Sequence, residues 1–353
     1  MKKYNLTIHK ERYKRIFAVC FVIIFVTTGT FLLINSHAAT GDNTIEPENG
    51  TISTSATVIN DSTASNAKAV KFTGTLSSSC PNSTPHMPDS SDGMGGCWPG
   101  PTTTGVPSGT NLTNYTGSNT ISTANTIIDG KNITTCINVT APGVIIRRSK
   151  ISCSGGNVVN VTDGSFSGTG LLIEDTEIHC NDTNGNGIGE ANFTARRVNI
   201  HGCENGLDMN QSIQLENSYI HDMFNSAQAH TDGMQFGFGH IVNGNIVAGG
   251  LNVTISHNTI YGMGVDGSFG TSAIISNRGF DTNILIENNL MAGGAYTLYC
   301  EQNATGVNYR VINNRFSTRF GPNVGAFGPS TDCSDEIQSS NKIEETGQLI
   351  TLQ

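Results

Sequence analysis

The chain has 353 residues, with 19 Lys and Arg against 28 Asp and Glu, which gives a formal net charge of −9 at pH 7. A chain this acidic lacks the basic surface that nucleic-acid binding needs, so we expect no nucleic-acid partner. Eight of the nine cysteines follow Cys20, and an even number of this kind fits disulfide bonds formed in an oxidising compartment.

The first 38 residues have the pattern of an export signal. Six Lys and Arg precede an uncharged run from Ile16 to Ile34, and Ser36-His37-Ala38 is typical of a cleavage site. The run is also long enough to span a bilayer, so a cleaved signal peptide and an uncleaved anchor at residues 16–34 both stay open. Either one predicts an extracellular protein, secreted or membrane-anchored, whose only membrane contact is this segment.

Removal of residues 1–38 makes the chain still more acidic. They hold six Lys or Arg and one Glu, so 13 basic and 27 acidic residues remain, a formal charge of −14. Such a surface repels uronate polymers unless a divalent cation or a local basic patch compensates.

Two short segments follow. Residues 39–75 include the sequences IEPENG and ASNAKAVKF. Residues 76–114 are rich in Ser, Pro, Thr and Gly and are predicted to form a linker and N-terminal cap. We expect Trp98 to pack in this cap rather than to serve as a platform for sugars.

From residue 127 onward a seven-residue pattern recurs eight times, each copy ending in a large apolar residue. Units this short cannot close a core of their own and must stack, with strands about 4.8 Å apart. The repeat therefore predicts a stack of β-coils over residues 115–345, with a tail at 346–353. The apolar anchors are Ile133, Ile151, Ile178, Ile200, Ile220, Ile260, Met291 and Phe316.

Alignment of the copies places chemically similar residues above one another. One column alternates in charge from Asp129 and Arg147 onward, which predicts a ladder of cross-strand salt bridges rather than a grip for an acidic glycan. Two further columns predict asparagine ladders. They hold Asn258, Asn289 and Asn314 in one, and Asn288 and Asn313 in the other.

Four cysteines lie two or three residues after successive anchors, where they can join neighbouring coils. Sequence alone does not fix the connectivity. The predicted pairs are Cys136 with Cys153, Cys180 with Cys203, Cys80 with Cys97, and Cys300 with Cys333.

The coil period, inward aliphatic residues and Asn columns resemble the right-handed parallel β-helix of the pectin and pectate lyase superfamily. The resemblance covers residues 115–345 and implies an all-β solenoid of about ten coils. The segment ASNAKAVKF resembles the first strands of a jelly-roll carbohydrate-binding module, but residues 39–75 are too few for such a module. There we expect a small β-hairpin or spacer.

The candidate catalytic residues lie near the two longest steps between anchors, because loops on a rigid stack are where sites are built. His230 and Asp232 lie two apart, as a proton-transfer pair can, and the segment HTDG resembles the Asn-Thr-Asp-Gly motif of polygalacturonase-type glycoside hydrolases. Asp208, one coil earlier, is the predicted second carboxylate. The predicted substrate contacts are Gln235, His221, Asp222 and Arg278.

A calcium site is the only cofactor that the sequence suggests. The run from Asp182 to Gly187 resembles the start of an EF-hand loop. Its predicted ligands are Asp182, Asn184, Asn186 and Glu190, although Phe193 occupies the twelfth position, where a Glu belongs.

These observations predict a monomeric extracellular protein that cleaves a polysaccharide, with a lyase placed slightly ahead of a glycoside hydrolase. The alternative is a non-catalytic surface protein, an adhesin or a glycan-binding stack. The two differ in whether His230, Asp232 and Asp208 share one open surface.

Overall fold

The structure is a computed structural model. It describes residues 56–60, 68–72, 80–162, 164–226, 230–237, 239–242, 245–247, 249–276, 281–300, 308–334 and 336–353. The chain divides into two compact units, Met1–Ser77 and Ser78–Gln353. The predicted signal or anchor at residues 16–34 lies outside the described residues, and within those that are described no helix is long and apolar enough to cross a membrane.

Residues 56–60 and 68–72, the described part of the first unit, form one β-hairpin. Ala56–Asn60 pairs with Lys68–Phe72 in antiparallel register, from Ala56 opposite Phe72 to Asn60 opposite Lys68. This hairpin lies within the segment for which the sequence predicts a short β fragment.

The second unit is built from short strands that pair in parallel with the equivalent strand of the next coil. The described residues form strands and turns and no helix. The pairs fall into three series, which we call stack 1, stack 2 and stack 3, and each coil contributes one segment to each stack. This arrangement is compatible with a parallel β-helix. One further antiparallel hairpin joins His240–Val242 to Asn245–Val247.

Two long strands, Glu177–Arg196 and Asn199–Glu216, run through all three stacks. Stack 1 also contains Ile127–Asp129, Ile145–Arg147, Leu171–Glu174, Leu251–Ser256, Thr282–Glu287, Tyr309–Ile312 and Ile337–Ser339. Stack 2 also contains Thr113–Asn114, Lys131–Ile133, Lys150–Ser152, Tyr219–His221, Thr259–Gly262, Leu290–Gly293, Arg315–Phe316 and Lys342–Ile343. Stack 3 also contains Thr120–Ile121, Ile137–Val139, Asn157–Val161, Asp232–Phe236, Ser272–Ser276, Tyr296–Cys300 and Gly328–Thr331.

The apolar anchors predicted from the repeat form one continuous column in stack 2. Each is paired in register with the next, from Ile133 opposite Ile151 to Met291 opposite Phe316. All of them are buried in the core that runs through the coils. Because a core of this kind forms only when units stack, every coil depends on its neighbours for burial.

The predicted salt-bridge ladder is confirmed. Arg147 Nη2 lies 3.0 Å from Asp129 Oδ2, and Arg196 Nη2 lies 2.7 Å from Glu174 Oε2. Arg197 pairs with Asp175 at 2.6 Å. The tandem arginines therefore form ion pairs with acidic side chains of the neighbouring coil.

One of the two predicted asparagine ladders is confirmed. The side-chain amide of Asn258 donates to Asn289 Oδ1 at 3.0 Å, Asn289 donates to Asn314 at 3.0 Å, and Asn314 donates to Asn341 at 3.2 Å.

The second predicted ladder is a column of turn residues. Asn288 and Asn313 have φ angles of 55° and 57°, and equivalent residues of earlier coils, such as Asp175 and Asn217, also have positive φ. Asn and Asp tolerate this left-handed conformation better than other non-glycine residues. Asparagine recurs there because each coil must turn at that position.

The four disulfide bonds join the predicted cysteine pairs, Cys80–Cys97, Cys136–Cys153, Cys180–Cys203 and Cys300–Cys333. Two of them join successive coils between stack 2 and stack 3. Disulfides are typical of proteins from oxidising compartments, which agrees with an extracellular location.

Residues 80–105, part of the segment 76–114 predicted to form a linker and N-terminal cap, lie along the side of the coils instead of over their end, and we call them the side strap. The Gly105 N–H donates to the Arg197 carbonyl at 2.8 Å, and Asp92 Oδ2 lies 3.0 Å from His257 Nε2. Trp98 is 0% exposed, stacks on His257 with centroids 5.6 Å apart, and donates to Glu344 at 3.3 Å. Trp98 is thus buried and closed to sugars, as predicted, but it packs against the coils and not only within the cap segment.

Candidate functional site

Asp232 and Gln235 face outward from the same strand of stack 3 because two consecutive residues between them face inward. A Cβ atom on Gly233 would lie 2.7 Å from Ile260 Cγ2, an atom of the core, and Met234 is itself fully buried in that core. Strict alternation is therefore broken at this point. The residues that flank the inward pair share the outer side of the coil.

The preceding coil has the same local geometry. A Cβ on Gly206 would lie 2.7 Å from Ile220 Cγ2, and Leu207 is buried, so Asn205 and Asp208 face outward. Such outward positions reach one another. In an earlier coil, the side-chain amide of Asn157 donates to Asn160 Oδ1 at 2.7 Å across the same three-residue spacing.

The register places Asp208 and Asp232 on neighbouring, paired strands. Asn205 lies opposite Asp232, and Asp208 lies opposite Gln235. With three residues along the strand and one coil across it, the Cα atoms of the two aspartates are about 10 Å apart. Asp208 and Gln235 are therefore neighbours on the outer side of stack 3, and Asp232 lies three residues before Gln235, where it is fully buried.

The exposed imidazole of His230 lies next to the buried carboxylate of Asp232. The His230 side chain is 70% exposed, Asp232 is 0% exposed, and His230 Nδ1 lies 3.8 Å from Asp232 Oδ2. This distance is too long for a hydrogen bond, so we treat the contact as electrostatic. Asp232 Oδ1 accepts from Ser272 Oγ at 2.5 Å, and its backbone N–H donates to Asn205 Oδ1 at 3.2 Å.

His230 and Asp232 each change the pKa of the other. The Asp232 carboxylate raises the pKa of His230, and burial raises the pKa of Asp232 despite the opposing influence of His230 and Ser272. His230 is therefore favoured as a cation near neutral pH.

Asp208 is the most clearly perturbed carboxyl group on this surface. Burial raises the pKa of Asp208 to about 6, and the nearby carboxylate of Glu190 adds to the effect. Its Oδ1 atom has no hydrogen-bond partner among the described residues. A carboxyl group that titrates in this range exchanges protons near neutral pH, which is what an acid–base catalyst requires.

His221 and Asp222, predicted as substrate contacts of the same site, form a separate group on stack 2 and the turn after it. His221 Nδ1 lies 2.8 Å from Asp222 Oδ2, and its Nε2 lies 2.9 Å from Asn199 Oδ1. The ring is stacked between Tyr219 and His201. Because stacks 2 and 3 are separated by a turn, sequence proximity does not bring these residues to Asp208. Arg278 lies outside the described residues.

The predicted calcium loop is part of an extended strand. Asp182, Asn184, Asn186 and Glu190 all lie on Glu177–Arg196. Asn186 bonds to Asn157 at 2.8 Å and to Asn205 at 3.1 Å, so its side chain belongs to an asparagine ladder. In the part of the chain that the structure describes, no group of three or more His, Cys, Asp or Glu could hold a metal ion. Calcium binding stays a prediction.

Sequence reasoning missed Ser272 and Asn205, the partners of Asp232. A signal for them exists in the order polar, small, apolar, polar, which appears as Asn205-Gly-Leu-Asp208 and Asp232-Gly-Met-Gln235. Alignment on this pattern, rather than on the stack 2 anchors, places the outward positions of stack 3 in register.

Comparison of the chain with protein-family models, with curated proteins and with solved structures finds no match.

Proposed function

We propose that this protein cleaves an extracellular polysaccharide on the outer side of stack 3, within a right-handed parallel β-helix of the pectin lyase type. The observation that carries the proposal is that the His230–Asp232 pair, with its imidazole exposed, lies at the start of the strand that pairs in register with the strand of Asp208. Cleavage of a glycosidic bond needs one group to donate a proton and another to accept one. His230 and Asp208 are the candidates for these two roles.

The pKa shifts assign the roles. His230, whose pKa is raised by the neighbouring Asp232 carboxylate, donates a proton to the leaving oxygen. Asp208, whose pKa is raised to about 6, is ionised above that pH and accepts a proton from the attacking water. Asp232 is buried and acts through His230, so it is a positioning residue. Inverting hydrolases separate the two groups by about 6.5–9.5 Å to leave room for water.

Hydrolysis is favoured over the β-elimination that the sequence placed slightly ahead. A lyase must neutralise the uronate carboxylate next to the proton it removes, by a cation or an arginine. The residues that pair along the outer column beside Asp208 are Gly189, Gln235, Ile275 and Tyr299. None of these four carries a positive charge, and His230 is assigned to the leaving oxygen.

The column of Asp208 continues over the neighbouring coils, and Ile275 within it is 5% exposed. It runs from Asp208 through Gln235 and Ile275 to Tyr299, three coil steps or about 14 Å away. Tyr299 is partly exposed and packs edge-on against Tyr296, with ring centroids 5.5 Å apart. Tyrosine rings of this kind pack against the apolar faces of sugars.

The proposal is tested by incubating the protein with neutral and acidic polysaccharides, with and without calcium. New reducing ends without ultraviolet absorbance from unsaturated uronate indicate hydrolysis, and a rise in that absorbance indicates a lyase. We expect Asp208→Asn and His230→Ala each to lower the rate at least 100-fold. Asp266→Asn, on an exposed turn, is the control. Absence of cleavage on every polymer favours the alternative of a non-catalytic glycan-binding protein.

A further inference from the structure

A second open groove lies on the outer side of stack 1. It has a volume of about 440 Å³ and crosses several coils. The strand residues that face it lie between core residues: Thr194 between Phe193 and Ala195, and Gln214 between Ile213 and Leu215. Its lining includes Asn192, Thr194, Ser212, Gln214, Asn252 and Thr254.

Neutral hydrogen-bonding groups repeat along this groove at the coil spacing. Thr194, Gln214 and Thr254 follow one another in register, about 4.8 Å apart. A second row, Ser212, Asn252 and Asn283, consists of strand residues with positive φ angles, and Asn283 donates to Asn252 at 3.0 Å. Amides and hydroxyls both donate and accept hydrogen bonds, as sugar hydroxyls do.

The floor of the groove carries no formal charge. The register column of Thr194 continues to Leu172 on one side and to Leu285 on the other. The neighbouring charged column is internally paired, as Arg196 with Glu174 at 2.7 Å shows. The floor of the groove provides no positive charge that would bind a uronate carboxylate. Its neutral hydrogen-bonding groups match a ligand that is rich in hydroxyls and uncharged.

We propose that this groove binds an uncharged glycan chain, with successive sugar units lying across successive coils. Residues of the groove follow the candidate active site closely in the sequence. Asn192 comes two residues after Glu190, and Ser212 comes four residues after Asp208. The repeat of the coils is similar to the length of one sugar unit in an extended glycan. The inference stands without the proposed catalytic activity, since a binding groove serves an enzyme and an adhesin alike.

The test is calorimetric titration of the Asp208→Asn protein, which should not consume its ligand, with neutral oligosaccharides (xylan, glucan and mannan fragments) and with oligogalacturonate. We expect at least one neutral oligosaccharide to bind, and oligogalacturonate to bind at least tenfold more weakly. Gln214→Ala and Thr254→Ala should each weaken binding of the neutral ligand about fivefold or more. Gln348→Ala, which alters an exposed glutamine outside the groove, should leave it unchanged.

Three results would overturn the inference: no binding of any neutral oligosaccharide, equal or tighter binding of oligogalacturonate, or unchanged binding in both groove variants. The outcome is separable from that of the cleavage assay. Binding without cleavage refutes the catalytic proposal alone, and cleavage with unchanged affinity in the groove variants refutes the groove alone.

Discussion

Asp208 is a candidate catalytic residue that also lowers the folding stability of the protein. Its pKa of about 6 in the folded protein lies above the ordinary value of 3.8. Folding is therefore penalised when Asp208 is ionised. The penalty is absent below the ordinary pKa, grows as the pH rises to 6, and is constant above it.

Asp208→Asn should accordingly stabilise the protein at pH 7.5 by about 1–3 kcal/mol and have little effect near pH 4, since two pKa units correspond to about 3 kcal/mol and the side chain is partly exposed. Urea unfolding at the two pH values measures the difference. Asp332→Asn serves as the control, because Asp332 is exposed. Equal stability of wild type and Asp208→Asn at pH 7.5 contradicts the burial argument.

Glu177 is perturbed in the opposite direction. It lies 2.8 Å from Lys150 Nζ and 3.2 Å from His201 Nε2. Hydrogen bonds from His201 and Lys150 lower the pKa of Glu177 to about 2. Its contribution to stability is therefore complete above the ordinary pKa of 4.5 and is lost as the pH falls from 4.5 through 2.

Glu177→Gln should destabilise the protein by about 1–2 kcal/mol at pH 6, with the difference from wild type shrinking steadily as the pH falls toward 2. Denaturant midpoints measured across this range provide the check. A difference that stays constant with pH rules out the ion pairs as its source.

At the scale of the element, successive coils repeat the same buried anchor position and the same side-chain hydrogen bonds. Asn289 illustrates this, because its amide donates to the Ile255 carbonyl at 2.9 Å and to Asn314 at 3.0 Å. Its Oδ1 accepts from the backbone and the side chain of Asn258. One fully buried side chain thus satisfies polar groups of three coils.

We expect Asn289→Ala to destabilise the protein by about 2–5 kcal/mol, because buried donors and acceptors lose their partners. Thermal unfolding followed by circular dichroism measures the effect. Asn132→Ala is the matched control, since Asn132 is half-buried and its contact with Asn114 is 3.5 Å long. If the two variants melt at the same temperature, the ladder contributes little.

At the scale of the whole molecule, the side strap joins coils that do not touch one another. In a stack of repeats, contacts are made mainly between neighbours, so distant coils are coupled only through intervening ones. The strap adds direct connections, because it bonds to Arg197, His257 and Glu344 at points far apart along the stack.

Trp98→Ala should therefore lower the free energy of unfolding by about 3–5 kcal/mol, the range for loss of a buried tryptophan, and should broaden the unfolding transition. Guanidinium unfolding followed by circular dichroism reports both. Phe327→Ala, at an aromatic residue that is 72% exposed, is expected to change the midpoint little. A sharp transition at the wild-type midpoint in Trp98→Ala would show that the strap is dispensable.

The sequence by itself determined the stacked coils, the anchor column and the salt-bridge ladder. These features follow from a repeat in which each residue meets its equivalent in the next coil, so alignment of the chain on itself predicts its contacts. The predicted pairing of the eight cysteines is confirmed, although sequence alone leaves their connectivity open. The contact between His230 and Asp232 was also predictable from the sequence, because only one residue separates them.

Only the tertiary structure decided which side of the strand Asp232 occupies and how Asp208 titrates. Two consecutive inward residues, Gly233 and Met234, break the alternation from which a strand's faces are predicted. The pKa of Asp208 depends on burial by neighbouring coils and on Glu190, and the separation of His221 from this surface depends on a turn. Each of these is set by the path of the backbone in space, which the repeat period leaves open.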